Sequence, residues 1–155
     1  MREKLYFVRL PLLLVALCFV GRLTLGAAGA SYEVGNRLFS MVILQTHLAL
    51  LWAAVGRRYR GYRLGEGVQT AVTIVLVSQI LVWTATAISY LAGINTFFNY
   101  PVAITGSPEP VSFGTAMAAR AGGLVANCIA GAALGAIGWS LAGLIPAVGN
   151  SGTDV

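Results

Sequence analysis

Four long apolar segments constrain the fold of this chain more than any other feature of its sequence. They cover residues 7–25, 38–55, 68–91 and 117–148. A helix needs about 17–25 residues to cross about 30 Å of hydrocarbon, and each segment reaches that length. In lipid the backbone must satisfy its own hydrogen bonds, as a helix does. The sequence therefore predicts an all-α integral membrane protein, a single domain of four transmembrane helices.

The charged residues are few and sit at the ends of the apolar segments. Only 10% of the residues are charged, whereas soluble domains have about 25%. The net charge of +5 would suggest nucleic acid if the basic residues formed a solvated face. Because they flank apolar segments instead, we expect the lipid bilayer as the partner, no nucleic acid, and no separate soluble domain.

The distribution of Lys and Arg predicts the orientation in the membrane. The N-terminus is basic, the turn between the second and third segments carries four arginines, and residues 93–112 have no Lys or Arg. Cytoplasmic loops carry the excess of these residues. We therefore expect cytoplasmic termini (N-in/C-in), an extracytoplasmic loop at 93–112 and a disordered tail at 149–155, in a bacterial inner membrane. The basic turn should bind anionic lipid headgroups through Arg57, Arg58, Arg60 and Arg63.

Residues 1–30 also resemble a secretory signal. A basic start precedes an apolar core, and Ala28-Gly29-Ala30 stands before Ser31. However, the stretch 21–25 makes the tail after the core long for a signal peptide. We therefore expect this segment to be retained as the first transmembrane helix. The two cysteines, Cys18 and Cys128, both lie in apolar segments, which favours buried thiols over a disulfide.

The fourth segment is dominated by Gly and Ala. Gly131 and Gly135 form a small-xxx-small (GxxxG) pair, and Gly138 with Ala142 extends the same pattern. Small residues let helix backbones approach closely in lipid. The segment is thus predicted to pack against protein, and its partner could be this chain, a second copy or another subunit. Near its start, Arg120 is interpreted as an interfacial anchor or as the ion-pair partner of a glutamate, with a buried anion site as the less favoured alternative.

Four polar residues lie inside the predicted membrane segments: Gln45, His47, Gln79 and Asn127. His47 is the only histidine and could ligate a haem or chlorophyll-type pigment, contact a quinone or join a proton path. The simpler interpretation is a neutral imidazole bonded to Gln79, Asn127 or a backbone carbonyl. Gln45 lies about 200° from His47 around the helix, so we expect both sides of this helix to face protein.

The sequence contains no recognisable catalytic, nucleotide or metal motif. The predicted membrane segments contain no Asp or Glu, although proton-coupled transporters usually place a carboxylate in the bilayer. The leading hypothesis is therefore a non-catalytic accessory subunit of a larger membrane complex. Its cofactor is unknown, and the candidates are a haem or chlorophyll-type pigment at His47 or bound lipid. The alternative is a small homo-oligomeric transporter or channel, and an intramembrane enzyme comes third.

Overall fold

The computed structural model describes residues 6–144, and every regular element within that range is a helix. Ends of the helices are set by local chemistry. The hydroxyl of Ser112 accepts a hydrogen bond from the Thr115 amide at 3.2 Å, which caps the last helix. Gly61 ends the third helix with a φ of 65°, a backbone conformation that suits glycine. The six helices are α1 Arg9–Ala27, α2 Tyr32–Leu38, α3 Met41–Arg60, α4 Leu64–Leu91, α5 Pro101–Thr105 and α6 Phe113–Ala142.

Four helical stretches are long and apolar enough to cross a membrane: Arg9–Ala27, Tyr32–Arg60, Leu64–Leu91 and Phe113–Ala142. This confirms the all-α class and the four apolar helices. The second stretch joins α2 and α3, so the first connection holds a short helix where the sequence suggested only a turn. The predicted tail at 149–155 and the predicted helical residues 145–148 lie outside the described residues.

Connections between the spanning helices give the molecule two distinct ends. We call the end that carries residues 57–63 the basic end. The opposite end, where α1 and α4 finish and α6 begins, carries residues 92–112 and is called the loop end. The predicted loop at 93–112 is not wholly irregular, because α5 lies within it and begins at Pro101. Proline is well tolerated in the first turn of a helix.

Helices α3, α4 and α6 form the tightly packed core of the bundle. The most extensive contact is between α4 and α6, and α3 packs against both, whereas α1 lies on the outside against α3 and α4. Ala49, Ala71 and Ile74 are completely buried between these helices. Helix α3 therefore lies centrally and contacts all three other long helices.

Candidate functional site

The small residues singled out in the fourth segment pack inside this chain. A Cβ added to Gly135 would lie 2.6 Å from the Ala71 Cβ, and one added to Gly131 would lie 2.8 Å from Val75. Gly138 faces the Leu50 backbone, and Ala142 is buried. These positions bring α6 against α3 and α4, so the partner of this face is the protein's own bundle.

Three of the intramembrane polar residues form a chain of hydrogen bonds across the core. Gln79 Nε2 donates to Gln45 Oε1 at 2.9 Å, and Gln45 Nε2 donates to Asn127 Oδ1 at 3.0 Å. Asn127 Nδ2 in turn donates to the Gly123 carbonyl at 2.7 Å. The chain links α4, α3 and α6 in sequence. Buried amides satisfied in this way hold helices in one rotational setting.

His47 does not join this chain, and the chain by itself does not cover the side of α3 that carries it, so the expectation that both sides face protein stays a prediction. Its side chain is exposed on the outer surface of α3, because Gln45 occupies the inward face. His47 Nδ1 lies 2.8 Å from the Ile43 carbonyl oxygen of the same helix. A carbonyl can only accept, so Nδ1 carries the hydrogen and Nε2 of the neutral ring keeps its lone pair.

An open groove of about 470 Å³ runs beside His47 between α1 and α3. Its lining includes Leu14, Leu17, Cys18 and Arg37. A histidine that donates one ring nitrogen to a carbonyl presents the other as a ligand, as second-shell hydrogen bonds do in metal sites. Nε2 of His47 would be the atom that could hold the metal of a haem or chlorin. Among the described residues, no group of three or more His, Cys, Asp or Glu could hold a metal ion.

The basic turn is only partly free to meet lipid headgroups. The Arg57 guanidinium lies 3.8 Å above the Trp139 ring and donates to the Trp139 carbonyl at 2.9 Å. The Trp139 indole donates to the Tyr62 carbonyl at 2.7 Å. Arg57 therefore holds the turn against α6, and its contact with lipid headgroups stays a prediction. Arg60 and Arg63 are exposed, while Arg58 is half-buried.

Two arginines at the loop end form a site that sequence reasoning reached only as the less favoured interpretation of Arg120, and without Arg22. Arg22, near the end of α1, is only 7% exposed and donates to the Phe39 carbonyl at 3.0 Å. Arg120 was expected at the interface or beside a glutamate. Instead it donates to the Phe98 carbonyl at 2.9 Å. Both guanidiniums line a cavity of about 90 Å³.

The start of α6 is the signal that would have revealed this site. The predicted segment began at 117, which placed Arg120 near the surface. Helix α6 begins at Phe113, directly after the Ser112 cap, so Arg120 stands about 10 Å along the helix at about 1.5 Å per residue. Recognising Ser112 as a cap would have moved Arg120 from the membrane surface into the bundle.

A search of protein-family models, of curated proteins and of solved structures found no match to this chain.

Proposed function

We propose that this protein is a non-catalytic accessory subunit of a larger membrane assembly, and that it meets its neighbour through the outer face of α6. One observation carries the proposal. The face opposite Gly131 and Gly135 presents a seam of residues spaced alternately four and three apart along the helix. All but one of them, half-buried Ala136, are exposed. The seam consists of Thr115, Ala119, Gly122, Ala126, Ile129, Ala133, Ala136 and Ser140.

This spacing is the one that lets two helices run alongside each other. Alternating steps of four and three keep a seam facing a partner helix over many turns. Small residues on the seam bring the two backbones close, which is the main source of helix association in lipid. A Cβ added to Gly122 would meet nothing within 4 Å, so a neighbouring helix has room to approach there.

Other outward faces of the bundle have a different composition. The exposed face of α1 is built from large aliphatic residues such as Leu13 and Leu17, and that of α4 from residues such as Ile80 and Ile88. Large flexible side chains of this kind suit contact with lipid chains. On α6 the contrast holds for the seam apart from Ile129, whereas Val125 and Ile137 beside it are also large and exposed. It supports a protein neighbour along the seam and lipid on α1 and α4.

Accessory function also accords with the interior of the bundle. The side-chain amides of Gln45, Gln79 and Asn127 form hydrogen bonds with one another. These three side chains therefore serve to hold the helices together. The proposal includes the N-in/C-in orientation and a bacterial inner membrane. The basic end, with Arg60 and Arg63, would then face the cytoplasm.

Replacing Ala126 by Trp tests the interface. We expect Ala126→Trp to release the protein from its assembly, seen as a smaller particle on native gels of membranes solubilised in mild detergent. Leu17→Trp is the matched control because it adds the same side chain to the exposed face of α1, and it should leave the particle unchanged. The proposal fails if wild type and both variants migrate as the same single-chain particle.

A cysteine at the same position separates the two kinds of assembly. In a background with Cys18 and Cys128 replaced by Ala, Ala126→Cys should not form a disulfide between two copies of the chain under mild oxidation. Efficient formation of a covalent dimer would favour the homo-oligomeric alternative. In that case, flux through the purified oligomer in liposomes would decide for a transporter or channel.

A further inference from the structure

The cavity between Arg22 and Arg120 concentrates positive charge inside the loop end of the bundle. Arg120 donates to the Phe98 carbonyl, and the Arg22 guanidinium lies 5.8 Å from the Phe98 ring centre. Both guanidinium groups therefore lie near Phe98. Arginine stays charged in proteins, so the fold holds two like charges close together in surroundings of low dielectric.

Nothing in the described part of the chain neutralises these charges. No Asp or Glu is among the residues that line the cavity. The rings of Tyr32 and Phe97 lie 5.6 Å from the Arg22 guanidinium; such contacts stabilise a cation but leave its charge in place. Two desolvated cations without an anion are costly, and an intramembrane charge calls for a partner.

Hydrogen-bonding capacity is also left over at this site. Each guanidinium has five N–H donors, and the structure gives each one a single carbonyl acceptor. The Nε atom of Arg120 is fully buried and has no acceptor among the described residues. Polar side chains of Asn36 and Ser40 line the same cavity and could serve an additional ligand.

We propose that this cavity binds a phosphate group between Arg22 and Arg120. The guanidinium fork matches phosphate oxygens in a bidentate manner. About 90 Å³ is well above the roughly 10–15 Å³ that a single water needs, so there is room for an oxyanion. The phosphate could belong to an anionic lipid or be free in solution.

A purely structural role for the arginines makes a different prediction. In that case they only hold the Phe39 and Phe98 carbonyls in place, and added phosphate compounds would not change the stability of the protein. The experiment therefore follows the thermal unfolding of the full chain in mild detergent. The probes are inorganic phosphate, short-chain phosphatidylglycerol, and diacylglycerol as the lipid without phosphate.

We expect the melting temperature of the wild type to rise with at least one of the two phosphate compounds and not with diacylglycerol. A rise with phosphatidylglycerol alone identifies a lipid headgroup, and a rise with inorganic phosphate identifies a soluble ligand. Arg120→Gln should weaken the apparent affinity about tenfold or more, equivalent to about 1.4 kcal/mol. Arg37→Gln is the matched control, because Arg37 is exposed at the same end and does not line the cavity; its affinity should stay within about twofold.

A second variant keeps the test decisive if Arg120→Gln does not fold. Asn36→Asp places a carboxylate at the exposed edge of the cavity with almost no change in shape. It should raise the melting temperature without ligand and abolish the additional rise from phosphate, because the new carboxylate competes for the arginines. The proposal is overturned if no phosphate compound stabilises the wild type, or if Asn36→Asp and the wild type respond equally.

Discussion

At the scale of single residues, environment rather than type decides what each polar side chain does. Gln45 and His47 are two positions apart on α3, yet Gln45 is buried and bonded to two other amides while His47 is exposed. An apolar or lipid-facing surface leaves a histidine to bond its own helix, as His47 does with the Ile43 carbonyl. Burial of the amides makes their mutual bonds obligatory.

Replacing His47 by Gln should therefore be mild. The bond to the Ile43 carbonyl stays within one helix and holds no other element, and hydrogen bonds in membranes average about 0.6 kcal/mol. We expect the melting temperature in detergent to change little, with an absorption spectrum recorded alongside. A visible band in the purified wild type that disappears in His47→Gln would instead make His47 a pigment ligand, since Gln ligates iron or magnesium poorly.

At the scale of helices, α6 uses its two faces differently. Gly131, Gly135 and Gly138 face neighbours of the same chain, and Gly122 faces outward with no atom in reach of a Cβ. The close approach of α6 to α3 and α4 depends on the three inward-facing glycines. The outer seam is available to another helix.

A pair of identical substitutions should separate these two faces. Gly135→Leu forces α6 away from Ala71 and Val68 and should cost on the order of 1–3 kcal/mol, as in an overfilled core. Gly122→Leu should leave the unfolding of the isolated chain almost unchanged. The measurement is thermal unfolding in detergent. Equal stability of the two variants would contradict the packing described for α6.

The basic turn provides a second comparison between neighbours. Arg57→Gln loses the contact with the Trp139 ring, a cation–π interaction of about 0.5–2 kcal/mol, and should lower the melting temperature. Arg63→Gln removes the same charge from an exposed position and should instead weaken binding of the purified protein to anionic vesicles. If Arg57→Gln reduced only vesicle binding, its position against α6 would not stabilise the fold.

At the scale of the whole molecule, four apolar helices separate a basic end from a loop end that has no Lys or Arg in residues 92–112. Arg22, which is buried, and Arg120, which is half-buried, belong to the long apolar helices near the loop end. Their charge lies inside the bundle, whereas Arg60 and Arg63 at the basic end are exposed. The asymmetry of exposed charge is what the proposed orientation depends on.

Orientation can be tested with cysteines at the two ends of a chain whose own cysteines are replaced by Ala. Glu109→Cys, exposed at the loop end, should react with an impermeant thiol reagent in intact cells. Tyr59→Cys, 78% exposed at the basic end, should react only after lysis. The reverse pattern of labelling would invert the proposed topology.

The sequence by itself determined the class, the number of apolar helices and the end that carries exposed positive charge. These follow from the length of the apolar segments and from the positions of arginines near helix ends. They also follow because a helix makes its backbone hydrogen bonds within itself, as lipid requires. All three are local properties that a single chain read in order can reveal.

Only the tertiary structure decided which side chains meet. The rotation of each helix about its axis depends on the shapes of its neighbours. For example, Gly138 has no side chain, so the backbone of α3 at Leu50 can pack directly against α6. That setting joins Gln45 to Gln79 and Asn127 rather than to His47. It also brings Arg22 and Arg120 to the lining of the same cavity. These residues are far apart in sequence, so helix packing and not a local sequence pattern sets the distance between them.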